Sequence, residues 1–363
     1  MWYNILIYAF FKKFSFFSKI MPKTKIICTL GPKSDSKSEL VRLIQSGMSM
    51  ARLNFSHGTY EHHEKMIKNL RKAEKKLKKH ITIIVDLQGP KIRIGELSKP
   101  IFLKRSQEII LTTNIIQTGE SQKIPIQYKS LPSEIKTGDH ILIDDGLIDL
   151  VVLSKTKTDI KCKVCVSGKI SSHKGINAPD TNLKAIKTIT EKDKKDLEFA
   201  LQFHPEYVAL SFVKNAKDII DLRKFITKQL SKFSQHNFPK IISKIECQQG
   251  IKNLEKIIKI SDMVMVARGD LAVEVGDEKV PVLQRKIIEL SRKYKKPVIV
   301  ATQMLSSMID NARPTRAEAS DIARAVFEKA DIVMLSNETS VGKYPFKAAH
   351  MMKLIIREAE KIV

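Results

Sequence analysis

The sequence predicts an α/β protein built as a (β/α)8, or TIM, barrel, with a small all-β domain inserted after the third strand. Three observations predict it. Eight short, mostly apolar runs alternate with eight longer amphipathic runs from residue 25 to the end of the chain. The short runs are rich in β-branched residues and show little polar alternation, as expected of parallel strands covered on both faces. Between residues 86 and 190 the helical period disappears, and short alternating segments with turn signals replace it.

Taken in order, residues 25–28 form the first strand and residues 38–45 the first helix, which Gly47 ends. Residues 49–53 and 81–85 form strands two and three, separated by a helix over 60–79. The inserted segment follows. Its signals are Gly95, the pair Thr118-Gly119, Thr137-Gly138-Asp139, Asp144-Asp145-Gly146 and Ser167-Gly168, with alternating stretches at 141–143 and 160–164. Helix 191–203 returns the chain to the barrel, with Thr190 as N-cap before Glu191 and Asp193. Strands at 207–212, 241–245, 263–266, 298–301 and 332–335 are then each followed by a helix, at 216–230, 249–260, 282–294, 315–328 and 346–362. Pro281 and Pro314 stand where helices begin, a position that tolerates proline. The expected domains are therefore 21–87 with 186–363 for the barrel and 88–185 for the insertion.

Residues 1–20 stand apart: they hold eight of the chain's 23 aromatics. Their apolar stretch is too short to span a bilayer and lacks the pattern of a signal peptide. The preferred reading is that translation begins at Met21, and the alternative is a membrane-surface or partner-binding tail. No other stretch approaches transmembrane length, and four scattered cysteines give no disulfide framework. A cytoplasmic protein is expected. The formal net charge is +25, yet only 13 of the 64 basic residues are arginine. Base readout and bidentate phosphate binding favour arginine, so this excess argues weakly for nucleic acid. An anionic substrate fits it better, and neither a nucleic-acid nor a membrane partner is expected.

Barrels of this class place chemistry at the C-terminal ends of their strands. Strand two ends in Arg52, Asn54, Ser56 and His57, and strand three in Asp86. Strand five carries Lys244 and Glu246, two residues apart and hence on one face. Strand six ends in Arg268-Gly269-Asp270, strand seven in Thr302-Gln303 and strand eight in Ser336, Asn337 and Glu338. Carboxylates with few histidines or cysteines suit a hard cation such as magnesium rather than zinc. Glu246 and Asp270 could share one ion, with the Lys244 ammonium and the Arg52 fork beside it. That is the arrangement phosphoryl transfer requires.

Eight segments then carry a resemblance: TKIICTLGP at 24–32, ARLNFSHG at 51–58, DLQGPKIR at 86–93, KIISKIE at 240–246, MVARGDL at 265–271, ATQMLSSM at 301–308, RPTRAE at 313–318 and LSNET at 335–339. In this order and spacing they resemble the pyruvate kinase family. The resemblance implies transfer of the phosphoryl group of phosphoenolpyruvate to ADP, giving pyruvate and ATP, with Mg2+ (or Mn2+) on Glu246 and Asp270. It implies Lys244 on the transferring phosphoryl group and Arg52 on phosphate. Gly269, Asp270 and Thr302 match the cradle of the substrate carboxylate, and His57, Arg93 and Lys174 fall at nucleotide positions. Asn54, Ser56 and Asp86 match monovalent-cation ligands, and Ser336 with Glu338 a polar chain for the proton.

Two departures qualify this. Potassium-requiring members usually have Glu where this chain has Lys91, so an ammonium near Asp86 would replace the monovalent cation, and no K+ requirement is expected. Lys91 as a plain surface lysine is the alternative. The resemblance also implies a C-terminal α/β domain with effector sites, which these residues do not include. Activity without that regulation is expected, possible self-association through barrel contacts included. The runner-up is a catalytically weak remnant that binds phosphoenolpyruvate or nucleotide. The lone Cys162-x-x-Cys165 pair reads as packing, and His62-His63-Glu64 as a solvated helix face.

Overall fold

The computed structural model describes residues 23–114, 123–181, 183, 185–232 and 238–363. The N-terminal stretch singled out above, and its alternative start at Met21, lie outside the described residues.

Eight parallel strands close into a barrel: Lys25–Thr29, Met50–Asn54, Thr82–Asp86, Tyr207–Leu210, Lys240–Ile245, Met263–Ala267, Val298–Ala301 and Ile332–Leu335. The ring closes where the first strand pairs with both the second and the eighth. Alternation along each strand sorts side chains into two sets. Ile26, Cys28, Val85, Ile241 and Val264 pack outward beneath the helices. Ile27, Met50, Ile84, Ala209, Ile242, Met265, Ile299 and Met334 pack against one another inside the barrel. Parity then decides the mouth. Continuing the inward series by twos beyond these residues reaches Thr29, Arg52, Asp86, Ser211, Lys244, Glu246 and Ser336.

The helices begin where the sequence signals them. Ser36, Thr190 and Thr315 each complete a capping box with an acid three residues on. The segment expected as one helix over 249–260 is two, Gln248–Lys252 and Leu254–Ile260. Asn253 breaks it, its side-chain amide donating to the carbonyls of Lys214 and Gln249. The first turn after barrel strand six is also helical, over Arg268–Val275, where no helix was expected.

The segment between strands three and four forms a seven-stranded sheet and a two-stranded one, around an aliphatic core that includes Ile94, Ile141, Leu150, Ile160 and Val164. It is not purely β, because a short helix spans Leu131–Glu134. Its turn at 144–146 leans on the barrel: a Cβ on Gly146 would lie 4.0 Å from Val273. A cleft of about 1030 Å³ separates the two parts.

Candidate active site

Four charged side chains meet at the buried end of barrel strands two, three and five. Arg52 Nε donates to Asp86 Oδ2 at 2.6 Å, and its Nη1 donates to the Thr29 hydroxyl at 3.0 Å. Lys244 Nζ donates to Asp86 Oδ1 at 3.2 Å and to the Ser211 hydroxyl at 2.7 Å. It also lies 3.0 Å from Glu246 Oε1. Burial pushes the Asp86 carboxyl up, but Lys244 and Arg52 outweigh it and hold the group below the ordinary carboxylate range. Burial likewise opposes charge on Lys244, yet Asp86 and Glu246 hold it above its usual value, so it stays an ammonium.

Glu246 responds the other way. Burial pushes its carboxyl up beyond what Lys244 pulls down, and the nearby Asp270 pushes it further. Its Oε2 accepts the Phe212 backbone N–H at 2.7 Å, while its buried Oε1 has no hydrogen-bond partner, since Lys244 approaches without hydrogen-bond geometry. A buried acceptor left open beside a second carboxylate costs stability unless something fills it. That donor set fits a hard divalent cation. Among the described residues no group of three or more His, Cys, Asp or Glu could hold a metal, so the remaining oxygens would come from substrate or water.

Strand six supplies the next part. Gly269 and Asp270 open the helix Arg268–Val275, where backbone N–H groups favour anions. The Thr302 hydroxyl accepts the Gly269 N–H at 2.8 Å and donates to the Ala301 carbonyl. Thr302 has φ of 68° and Gln303 of 52°. A β-branched residue in the left-handed region is strained, and such strain collects at functional sites. Arg268 maintains it. This buried guanidinium donates to the carbonyls of Thr302, at 2.7 Å, and Gln303, at 3.1 Å, and pairs with Asp321 at 2.6 Å. Glu338 braces the same loop, its buried carboxylate accepting the N–H groups of Leu305 and Ser336. Thr302, Ser336 and Glu338 all line the cleft, with Asp270 and Lys91.

The remaining predicted residues spread around the rim. Asn54 Oδ1 accepts the Ser56 N–H at 3.2 Å, forming the turn that leads to His57. Burial lowers the His57 imidazole below its usual range, helped by Arg93 and Arg52. Arg93 donates to the His173 carbonyl, and Lys174 pairs with Asp144 at 2.8 Å. His63 corrects the expectation of a solvated face. It is buried, stacked on Phe55 with centroids 4.2 Å apart, and contacts the His57 carbonyl through Nε2 at 2.9 Å. Lys91 is displaced from its expected place. Asp86 already has two cations, and the Lys91 ammonium lies 3.5 Å from Asp270 and 3.5 Å from Asp145. Gly89 (φ 68°) lets the connection pass Ser211, where a Cβ would sit 2.8 Å from that side chain.

Thr29, Ser211 and Arg268 went unassigned in the sequence. Asking which polar residues end strands one and four finds the first two, whereas nothing in the RGD segment distinguishes Arg268 as buried.

The family model for the pyruvate kinase barrel domain matches residues 21–349. This chain belongs to the pyruvate kinase family. Curated pyruvate kinases of Staphylococcus aureus strains MRSA252 and USA300 are each 42% identical over 343 residues. These matches take in 94% of this chain but 57% of theirs, so the chain spans little more than half the length of those pyruvate kinases. The crystal structure of a pyruvate kinase from Cryptosporidium parvum is similar with a TM-score of 0.90 at 41% identity, covering 94% of this chain and 70% of that one. Among the described residues no helix is long and apolar enough to cross a membrane.

Proposed function

We propose that this chain catalyses the pyruvate kinase reaction, moving the phosphoryl group of phosphoenolpyruvate to ADP and releasing pyruvate and ATP. The observation that supports it most is the buried Lys244 ammonium. It is held charged between Asp86 and Glu246, on the rim where such barrels do chemistry. Burying that charge beside an unfilled carboxylate oxygen suits a substrate and ion that bring dense charge of their own.

Glu246 and Asp270 would hold Mg2+ (or Mn2+), which when bound supplies positive charge against the phosphoryl oxygens. Lys244 and Arg52 provide fixed donors for the same group, already oriented by Asp86, Ser211 and Thr29. The N-terminal turn at Gly269 and Asp270, closed by Thr302, receives the substrate carboxylate. His57, Arg93 and Lys174 form a basic rim for the nucleotide phosphates, with His57 kept neutral near pH 7 by burial and the arginines. The phosphorus–oxygen bond to the enol breaks as one to the terminal ADP oxygen forms. The enolate left behind takes a proton at carbon. Thr302 is the candidate donor, with Ser336 and Glu338 on the same cleft wall as its supply. Arg52, Lys244 and Lys91 already neutralise the mouth carboxylates, so a monovalent cation such as K+ at Asn54, Ser56 and Asp86 is not required.

The test is pyruvate formation from phosphoenolpyruvate and ADP with magnesium, with and without potassium, beside Lys244→Ala. Equal activity in both salts, abolished in the variant, is the expected result. Activity only with potassium would refute the role given to the fixed cations. A folded chain that forms no pyruvate in either salt would sink the proposal.

A further inference from the structure

We propose that Lys91 is a built-in counter-ion for Asp270 that a divalent cation must displace before it can bind. This deepens the reading of Glu246 and Asp270 as a metal site and rests on it.

Lys91 stands on the connection that enters the inserted domain, one residue before the strand Ile92–Arg93. Its backbone N–H donates to the Gly89 carbonyl at 3.1 Å, which fixes where the side chain departs. The stem then crosses Gly175: a Cβ there would lie only 2.6 Å from Lys91 Cε. A side chain at 175 would push the flexible end of Lys91 off this path. The seat aims the ammonium into the cleft, 3.5 Å from Asp270 Oδ1 and 3.5 Å from Asp145 Oδ1. Lys91 is only 25% exposed and Asp270 29%, while Asp145, at 73%, is mostly in solvent. The pair with Asp270 is therefore the less screened of the two, and the one that competes with an incoming cation.

Asp270 thus differs from Glu246. Glu246 is paired with the buried Lys244, at 3.0 Å, which Asp86 and Ser211 also hold, whereas Asp270 is paired with the part-exposed Lys91 at 3.5 Å. A divalent ion shared between them enters against the Lys91 ammonium. Lys91 would give up Asp270 and keep its ammonium in the cleft beside Asp145.

The experiment measures Mn2+ binding to the substrate-free protein from the electron paramagnetic resonance of free Mn2+. Wild type, Lys91→Gln, Gly175→Ala, Lys279→Gln and Glu246→Ala are compared, at low salt and again at about 0.5 M, where the screening length falls to a few ångströms. Lys279 lines the same cleft but pairs with Glu278, so its variant reports a general loss of charge. Lys91→Gln should bind Mn2+ roughly three- to tenfold tighter, with the gain retained at high salt. Gly175→Ala, which shifts the lysine but keeps its charge, should show a smaller gain in the same direction, and Lys279→Gln less than about twofold at high salt. Should Gly175→Ala fail to fold, Lys91→Gln decides alone. Unchanged or weaker binding in Lys91→Gln overturns the inference, as does an equal gain in Lys279→Gln. If wild type binds Mn2+ no better than Glu246→Ala, the metal reading itself has failed.

Discussion

The barrel and the inserted domain both bury aliphatic side chains, but they treat polar groups differently. In the inserted domain the buried polar residues among those described are Thr112 and Asn177, each satisfied by a hydrogen bond to a carboxylate. The barrel buries Asp86, Lys244, Glu246, Arg268 and Glu338 at the C-terminal ends of its strands, and Asp193 and Asp196 on the helix Glu191–Ala200. Burying charge is costly unless it is paired and bonded. The contrast teaches that most of the barrel's buried charge is gathered at one rim, whereas the inserted segment is an ordinary aliphatic β core.

The sharpest way to break that contrast is Lys244→Ala. It removes the cation shared by Asp86 and Glu246 and leaves Glu246 with only the Phe212 N–H. Breaking a buried pair from one side costs about 3–5 kcal/mol. Urea unfolding should show that loss, together with abolished turnover. A variant as stable as wild type would mean that the cluster is far better solvated than its burial implies.

The same-sized test in the inserted domain is Ile141→Ala. This fully buried residue has no polar role, and its truncation should cost about 3 kcal/mol through the cavity left behind. The loss should stay local. Hydrogen exchange should accelerate in residues 101–114 and 123–166, and the KM for ADP should rise, while Mn2+ binding at Glu246 and Asp270 holds. Loss of metal binding as well would show that the two regions are not energetically separable.

Arg268→Lys probes the strained loop. An ammonium cannot serve two carbonyls and Asp321 together, as the guanidinium does. Thr302 should then drift from its strained conformation. The expected outcome is a fall in kcat of about 100-fold, about 2.7 kcal/mol, with little change in the KM for ADP. A variant that changes KM alone would remove Thr302 from the chemistry.

How far the sequence reveals this division depends on the kind of signal. Strand polarity and the inward parity that leads to Arg52, Asp86, Lys244 and Glu246 can be read directly, because the period-two rule needs no tertiary information. The capping boxes at Thr190 and Thr315 are equally local. Lys91 could not be placed that way. Its direction is set by Gly175, 84 residues on, and by the two cations already on Asp86. Arg268 and His63 escape for a related reason: Arg268 sits just past an apolar strand and His63 in a polar helix, and only packing from distant segments buries either side chain.

His63 gives the smallest and most specific effect. Burial depresses its imidazole below the usual range, more than the contact with the His57 carbonyl raises it, while His62 and Lys192 lower it and Asp196 raises it. Because the folded value lies below the unfolded one, the unfolded chain takes up the proton first. Stability from a neutral His63 is therefore complete above the unfolded pKa of about 6.5 and is lost as pH falls towards the folded value. His57 and His350 are depressed as well and add to the slope. His63→Gln keeps a donor for the His57 carbonyl but cannot titrate. Urea unfolding of wild type and variant at about pH 8 and pH 5 should show the variant losing less stability on acidification. Turnover at the higher pH should stay within a few-fold of wild type, since the turn carrying Asn54, Ser56 and His57 is still held. Parallel acid profiles would mean that His63 is protonated in the folded protein, and that the stacked, buried ring is not what fixes this edge of the mouth.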